Sequence, residues 1–366
     1  MKRYIFSLFL LLFLASCQLD NSGTTNESVD LGESDSLTVH YLDVGQGSAT
    51  LFHLIDDENE YVILYDVGDW QRNDIVSYLE QQNIKAIDLI IISHPHADHI
   101  GQLNKVLQRY EVDEIWMSGN TTASDIFQAA MEAVLESDVD YVEPRAGEQY
   151  DIGPIELFIL HPDTLTGNLN EDSLSIHFTY GNISFLFTGD ASKHEELQML
   201  ERTDRIEAQI LQLGHHGSNT SSDPKFIRAV NPEIAIYSAG EDNSYDHPHD
   251  EVIELLNQEN IKVYGTDVDG TIIIETDGEQ YDVTTTEKAM SNHHAAEREN
   301  ARNCIDINSA SQTELTELIH IGDARAMEII ELRPFHSVDE LIEIDGIGPS
   351  KLSDIKEQGK ACIGGD

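Results

Sequence analysis

The sequence predicts a layered α/β fold followed by a small all-helical domain. The run 87–92 is short, β-branched and apolar at nearly every position, which is typical of a strand buried on both faces of a sheet. Similar runs recur up to residue 286 and alternate with helical stretches, a pattern that favours an α/β class. At 366 residues the chain exceeds a typical domain, so a second module is expected.

The elements of the larger domain follow in chain order. Apolar runs bounded by polar or turn residues predict strands at 37–44, 61–66, 87–93, 155–160, 173–180, 183–188 and 208–213. Helical spacing predicts helices over 73–82 and 123–136. The runs 269–276 and 280–284 flank Asp277-Gly278-Glu279 and predict a hairpin. The larger domain is therefore expected to span 36–286.

A cluster of metal-ligand side chains follows the strand predicted at 87–93. Three histidines and one aspartate fall within six residues: His94, His96, Asp98 and His99. Imidazole nitrogen and carboxylate oxygen are the ligands expected of a catalytic zinc or manganese site. A chance group of surface histidines is the alternative, but it would need neither the H-x-H-x-D-H spacing nor a core strand before it. The motif predicts a metal site at the end of a buried strand.

Further segments end an apolar run on a possible ligand: Asp66, Asp190 and the pair His215-His216. In this order, the four segments resemble those of the metallo-β-lactamase-like hydrolase superfamily. The strings 40–47, 213–218 and 243–249 are similar to the soluble hydrolase domain of the ComEC competence proteins. The resemblance implies a four-layer αβ/βα sandwich. One departure is Ser48, which stands where that group usually has Asp.

The resemblance also implies a ligand set for two divalent ions, Zn²⁺ or Mn²⁺, that activate a water. His94 and His96 would bind one ion, Asp98 and His99 the other, with Asp190 bridging. One further ligand would come from the pair His215 and His216, and the sequence leaves open which of the two.

Other residues are expected to support this site. Asp66 is interpreted as a carboxylate that orients an imidazole. Asp98 and His247 are the candidate catalytic residues, His247 by contacting a phosphate oxygen or protonating the leaving group. The alternative for His247 is a capping or buried histidine. Asn170 and Ser173 are candidate substrate-binding residues, or else they cap a strand.

The charge balance is strongly acidic. The chain has 68 acidic and 21 basic residues and a net charge of −47. Nucleic-acid binders normally carry the opposite sign, because neutralised phosphates supply much of their affinity. Such a surface is interpreted mainly as keeping a secreted protein soluble in a salty or alkaline medium, rather than as binding cationic partners.

The N-terminal segment predicts export. Lys2 and Arg3 precede an apolar stretch at 4–14 that is too short to span a bilayer comfortably. Leu14-Ala15-Ser16-Cys17 resembles a bacterial lipobox, so that 1–17 is expected to be a signal peptide and Cys17 to carry lipid. A plain membrane anchor is the alternative. The polar stretch 18–35 is expected to be a tether, which predicts an extracytoplasmic, lipid-anchored protein with no inferable protein partner.

The C-terminal segment 304–366, after a polar linker at 287–303, resembles a tandem helix-hairpin-helix domain of the ComEA type. The resemblance implies weak DNA binding through the amides around Gly346 and Gly348, with a charge contact from Lys351. In the first repeat, His320 stands where a hairpin glycine is expected, which makes a positive φ costlier there. A helical protein-interaction module is the alternative.

The remaining cysteines bracket this module. In an oxidising compartment, Cys304 and Cys362 would form a disulfide that joins the ends of the domain. Two free buried thiols are the alternative.

These expectations together favour an extracytoplasmic, metal-dependent phosphodiesterase that acts on DNA. Two other hypotheses remain open from sequence. One is a hydrolase of cell-envelope phosphodiesters, such as phosphorylcholine or teichoic-acid linkages. The other is a non-catalytic DNA-binding lipoprotein, although a complete ligand set argues for catalysis.

Overall fold

The computed structural model describes residues 36–56, 59–286, 305–335, 337–358 and 360–362. The predicted signal peptide with Cys17, the tether, the linker and Cys304 lie outside these ranges. Within them, none of the helices combines the length and the apolar character needed to cross a bilayer.

The larger domain is built from fifteen described strands and seven helices. The strands are β1 (Ser36–Tyr41), β2 (Ala49–Asp56), β3 (Asn59–Val67), β4 (Ala86–Ile92), β5 (Glu111–Met117), β6 (Asp140–Val142), β7 (Gln149–Ile152), β8 (Ile155–His161), β9 (Ser175–Tyr180), β10 (Ile183–Phe187), β11 (Ile210–Gln212), β12 (Ile234–Tyr237), β13 (Lys262–Gly265), β14 (Ile272–Thr276) and β15 (Tyr281–Thr285). The helices are α1 (Asp74–Gln81), α2 (Leu103–Leu107), α3 (Asp125–Glu136), α4 (Lys193–Arg202), α5 (Pro224–Val230), α6 (Asp250–Gln258) and α7 (Thr266–Asp269).

Two sheets form the middle layers. One has the order β15-β14-β1-β2-β3-β4-β5-β6, the other β13-β12-β11-β10-β9-β8-β7. Their facing sides share one apolar core, in which Phe52 of β2 stacks on Phe178 of β9 with ring centroids 4.5 Å apart. The two sheets are therefore joined by apolar and aromatic packing.

Helices cover the outer faces. Residues of α1, α2 and α3 pack on the first sheet, around Leu79, Leu103 and Phe127. Residues of α4, α5 and α6 pack on the second sheet, around Met199 and Phe226. The predicted four-layer sandwich is confirmed.

The parallel parts of the sheets determine where loops gather. β3 and β4 are parallel neighbours in the first sheet, and β10, β11 and β12 are parallel neighbours in the second. The carboxyl ends of each group lie at one edge of its sheet, and the loops that carry the predicted ligands begin there.

Each strand predicted from the sequence overlaps an observed strand, and the hairpin of β14 and β15 is present. The strand expected at 173–180 begins only at Ser175. The preceding residues lie outside the strand, because Leu174 N–H donates to the Ser93 carbonyl at 2.8 Å. The sequence analysis missed six of the described strands of the larger domain, which are β2, β5, β6, β7, β12 and β13. Of these, β5 begins with the polar stretch Glu111-Val112-Asp113-Glu114.

The C-terminal module has its own apolar core. Helices α8 (Gln312–Leu315), α9 (Asp323–Leu332) and α10 (Pro349–Gln358) and a 3₁₀ turn (Val338–Glu343) surround buried side chains such as Leu318, Ile329 and Ile347. The module is helical, as expected, apart from a short parallel ladder of β16 (Ile305–Asp306) with β17 (Ala361–Cys362).

The ladder lies at the two ends of the module, where the disulfide is predicted. Cys362 is disulfide-bonded, and Asp306 pairs with Cys362 in the ladder. Because Cys304 lies outside the described residues, the pairing of Cys304 with Cys362 stays a prediction.

The core between the sheets generates a stability prediction. Replacing Phe52 with Ala should lower the free energy of unfolding of the larger domain by about 3–5 kcal/mol, because the ring is fully buried between the sheets. Both tryptophans, Trp70 and Trp116, lie in this domain, so tryptophan fluorescence in urea reports on it. Ile55→Ala on the same strand is the control, since Ile55 is 53% exposed and should change stability by no more than ~0.5 kcal/mol. Equal shifts for the two variants would contradict the assigned core.

Candidate metal centre

The candidate ligands lie on loops at the carboxyl ends of neighbouring strands. Asp66 lies near the end of β3, and the segment 93–99 follows β4. Asp190 follows β10, the pair 215–216 follows β11, and His247 lies between β12 and α6. The parallel order of these strands therefore brings together residues that are far apart in the sequence.

A first cluster consists of His94, His96 and Asp190, whose ligand atoms all lie within 4.8 Å of one another. His94 Nε2 is 2.9 Å from His96 Nδ1 and 3.4 Å from Asp190 Oδ2. Two imidazoles and a carboxylate at this spacing can share one divalent ion.

A second cluster consists of Asp98, His99 and His216, again within 4.8 Å. Asp98 Oδ2 is 3.9 Å from His99 Nε2 and 3.4 Å from His216 Nε2. Asp190 Oδ1 lies 3.5 Å from His99 Nε2, so the two oxygens of Asp190 face different clusters. This is the arrangement expected of a bridging carboxylate.

The buried polar atoms of the site fit a metal. Among the described residues, three such atoms lack a hydrogen-bond partner and belong to the clusters: His99 Nε2, Asp190 Oδ1 and His216 Nε2. Buried polar atoms are normally paired, and convergent imidazole and carboxylate donors suit Zn²⁺ or Mn²⁺.

The pKa shifts at the site indicate negative charge that a bound cation or proton must compensate. Burial raises the pKa of Asp190, but the neighbouring imidazoles, His99 foremost, outweigh burial and hold it well below its usual value. Burial lowers the pKa of His99, yet the carboxylates of Asp190, Asp66 and Asp98 together raise it to about 10. Three carboxylates around one buried imidazole require either a proton or a cation.

Asp66 holds the histidine loop. Its Oδ1 accepts from the Ser93 N–H at 2.8 Å, and its Oδ2 accepts from the Ser93 hydroxyl at 3.0 Å. His99 Nδ1 lies 2.7 Å from Asp66 Oδ2, which leaves His99 Nε2 directed at the second cluster. Asp66 thus contacts the imidazole of His99, and its role as a carboxylate that orients a metal-binding imidazole stays a prediction.

The two histidines after β11 have different surroundings. Both adopt left-handed backbone, with φ of 52° at His215 and 58° at His216, a conformation that costs free energy for non-glycine residues. His216 is buried and its Nδ1 contacts the Ser238 carbonyl at 2.8 Å, so that its Nε2 lone pair faces Asp98. His215 is partly exposed, with its Nε2 3.5 Å from Asp190 Oδ2. The geometry favours His216 as the further ligand.

A family profile described as the Metallo-beta-lactamase superfamily matches residues 42–241. The chain belongs to this superfamily. A second profile, described as the Helix-hairpin-helix motif, matches residues 300–358. Both resemblances predicted from the sequence are confirmed, and with them the fold of metal-dependent hydrolases.

Parts of the chain are similar in sequence to several named proteins. ComE operon protein 3 of Bacillus subtilis (strain 168) is 29% identical over 275 residues, which is 73% of this chain and 34% of that protein. Competence protein ComA of Neisseria gonorrhoeae is 28% identical over 235 residues, which is 63% of this chain and 31% of that protein. The matches thus span about a third of each of these relatives. A deoxyribonuclease of Thioalkalivibrio sp. (strain K90mix) is 55% identical over 60 residues, which is 16% of this chain and 17% of that protein.

His247 lies beside the second cluster of this superfamily site. Its ring centroid is 5.6 Å from that of His215 and 6.0 Å from that of His216. Burial, followed by the neighbouring imidazoles, lowers the pKa of His247 to about 4. The imidazole is therefore neutral near pH 7 and has one N–H to donate. Its Nδ1 is buried without a hydrogen-bond partner among the described residues, and its role as a catalytic residue stays a prediction.

Ser173 contacts the backbone of Asp190, and Asn170 contacts the backbone of Ser173. The Ser173 hydroxyl accepts a hydrogen bond of 3.0 Å from Asp190 N–H, while the Asn170 carbonyl accepts from Ser173 N–H at 3.0 Å. Gly189 has φ of 54°, and a Cβ there would lie 2.8 Å from Ser93 Cβ, so glycine is required. These contacts position Asp190, whereas substrate contact by Asn170 or Ser173 stays a prediction.

An uncharged wall beside the second cluster was not predicted from the sequence. Gln212 and Ser238 line the same small cavity as His99 and His216, together with Ser48. Gln212 Nε2 donates to the Ser48 hydroxyl at 3.0 Å, and Gln212 Oε1 and Ser238 Oγ are buried without a hydrogen-bond partner among the described residues. The only sequence signal was the unusual serine at position 48.

The two hairpins of the C-terminal module share one backbone conformation. Both His320, at φ of 66°, and Gly346, at φ of 76°, are left-handed, so the first hairpin keeps this conformation although its residue is not glycine. Lys351 Nζ donates to the Gly346 carbonyl at 2.7 Å, and Arg325 Nε donates to the Asp345 carbonyl at 3.0 Å. Both cations therefore lie against the second hairpin, just before α10. DNA contact by Gly346, Gly348 and Lys351 stays a prediction.

The different surroundings of His215 and His216 predict that their replacement has different effects on metal content. His216→Ala should lose about one metal ion per chain, because Nε2 of His216 belongs to the second cluster. His215→Ala is the matched control and should keep the wild-type content, which elemental analysis of the purified protein measures. Retention of full metal by His216→Ala together with loss by His215→Ala would reverse the assignment.

Proposed function

We propose that the protein is a metal-dependent phosphodiesterase that cleaves DNA outside the cytoplasm. The observation that carries this proposal is the position of Asp190, which belongs to the first cluster and directs its Oδ1 at the second, in a chain that also has a helix-hairpin-helix motif. Two ions at adjacent sites suit in-line displacement at phosphorus. The names of two relatives, a deoxyribonuclease and a competence protein, support DNA as the substrate.

The residues of the site divide the chemistry among them. Divalent ions held there would supply Lewis acidity and neutralise phosphate charge. Asp66 fixes the orientation of His99, and Ser173 fixes the backbone of Asp190. The neutral imidazole of His247 is proposed to donate its N–H to a phosphate oxygen. The wall formed by Ser48, Gln212 and Ser238 offers hydrogen bonds without adding charge that would repel phosphate.

The helix-hairpin-helix module is proposed to bind DNA at a point remote from the phosphate that reacts. Its second hairpin combines a turn at Gly346 with two cations, Arg325 and Lys351, that lie against it. Backbone-directed contacts of this kind position DNA without reading its sequence. In an acidic protein with net charge −47, we expect this binding to be weak.

The predicted lipobox supports a location outside the cytoplasm. An exported protein anchored by lipid at Cys17 would place the hydrolase domain at the cell surface, at the end of the tether 18–35. Relatives named as competence proteins favour the same compartment. The proposal therefore includes lipid anchoring and an oxidising environment for the Cys304–Cys362 disulfide.

Asp190 provides the first test. Asp190→Asn preserves the shape but removes the shared charge, so cleavage of labelled single- and double-stranded DNA with Mn²⁺, Zn²⁺ or Mg²⁺ should fall about 100-fold or more. Asp163→Asn, an exposed aspartate in another loop, should cleave like wild type. A wild-type protein that ignores DNA but hydrolyses bis-p-nitrophenyl phosphate would sink the nuclease proposal and favour an envelope phosphodiester as the substrate.

Gly348 tests the role of the module. Gly348→Asp adds a carboxylate at the second hairpin in open space, since no atom lies within 4 Å of the added Cβ. We expect KM for long DNA to rise several-fold while hydrolysis of a small diester stays unchanged, because remote contacts position the substrate. Gly322→Asp makes the same change in the first hairpin, also in open space, and should have the smaller effect. If neither variant alters cleavage of long DNA, a protein-interaction role for the module is preferred.

A further inference from the structure

The loop that carries His247 also presents an exposed aromatic ring. The Tyr245 side chain is 62% exposed, compared with 47% for Trp70 and 39% for Tyr141. Large aromatic rings on a protein surface lose contact with apolar neighbours and expose their faces to water. An aromatic ring this exposed next to a candidate active site therefore calls for an explanation.

The ring of Tyr245 continues a series of stacked rings that begins at the metal centre. His247 stacks on His216, with centroids 6.0 Å apart and planes at 22°. Tyr245 stacks on His247, with centroids 5.7 Å apart and planes again at 22°. Two ring-to-ring steps thus lead from a proposed metal ligand to a solvent-exposed tyrosine.

The position of Tyr245 is fixed by its own loop. The Asn243 side chain accepts from Tyr245 N–H at 3.1 Å and from His247 N–H at 3.0 Å. Its amide donates to the Gly240 carbonyl at 3.0 Å and to the His247 carbonyl at 2.6 Å. These bonds use the full capacity of one asparagine side chain, so the loop is organised before any ligand arrives.

The charges around the ring restrict what it can contact. Glu241, Asp242 and Asp246 of the same loop are acidic and exposed, and they would repel a phosphate. The neutral face of an aromatic ring is not repelled in this way. Since the chain has 21 basic residues against 68 acidic ones, uncharged contacts must contribute a large part of substrate binding.

We propose that Tyr245 is a stacking platform for an unpaired nucleobase next to the phosphate held at the metal centre. This inference rests on the proposed nuclease function and names a contact of its substrate. Stacking on an aromatic ring tolerates any base, because every base has a π-face. It also favours a single strand, whose bases are not covered by a partner strand.

The test compares Tyr245→Ala with Tyr245→Phe in the full chain, with a single-stranded oligonucleotide and Mn²⁺. KM should rise about ten-fold for the alanine variant, whereas the phenylalanine variant should stay close to wild type because it retains the ring. Turnover at saturating substrate should change little in both. Tyr141→Ala on β6 removes another exposed tyrosine and serves as the control with unchanged KM.

A second measurement identifies the base. Oligonucleotides with an abasic site at successive positions should include one that raises KM for the wild type as much as Tyr245→Ala does. With that substrate, Tyr245→Ala should cause no further loss, because the two changes remove the same contact. Wild-type cleavage with unchanged KM in Tyr245→Ala would overturn this inference alone. A wild type that cleaves no nucleic acid would overturn the proposed function and this inference together.

Discussion

The site depends on one buried anion, the carboxylate of Asp190. The side chain is 4% exposed, and a charge removed from water is stable only when it is fully compensated. Its two oxygens face different clusters, and its backbone N–H is held by Ser173. Because Asp190 follows a strand of the second sheet while His94 and His99 follow a strand of the first, its compensation requires both sheets to pack in register. The aromatic core between the sheets therefore also sets the geometry of the metal centre.

Much of the fold was predictable because it is encoded locally. The runs that became β4 and β10 are apolar at nearly every position, since both faces of their sheets are covered, and such runs are easily recognised. β5 was missed because its exposed first half is acidic, so its composition does not resemble that of a buried strand. The start of β9 was placed too early because Ser173 and Leu174 bond to neighbouring loops, and such contacts leave no periodic signal.

The site residues that belong to one sequence motif could be predicted. Those that are brought together by contacts between distant segments could not. The spacing of His94, His96, Asp98 and His99 determines their loop, so they could be named in advance. Sequence spacing could not show which of His215 and His216 is the ligand. Both have a left-handed backbone, and the tertiary packing determines where their side chains point. The wall of Ser48, Gln212 and Ser238 comes from three distant segments, and the unusual serine at position 48 does not show that it meets the other two residues.

The acidic surface has a further consequence, for cations. A net charge of −47 produces a negative potential that enriches divalent ions near the protein. The carboxylates of Asp66 and Asp190, which are buried, and of Asp98, which is partly exposed, are where such an ion would finally bind. Capture of a scarce metal ion should then be fastest in dilute media and slower in brine, where the screening length falls to a few ångströms. Added salt would also screen the repulsion of DNA, the substrate that we propose. A saline environment therefore weakens cofactor capture and eases substrate approach at the same time.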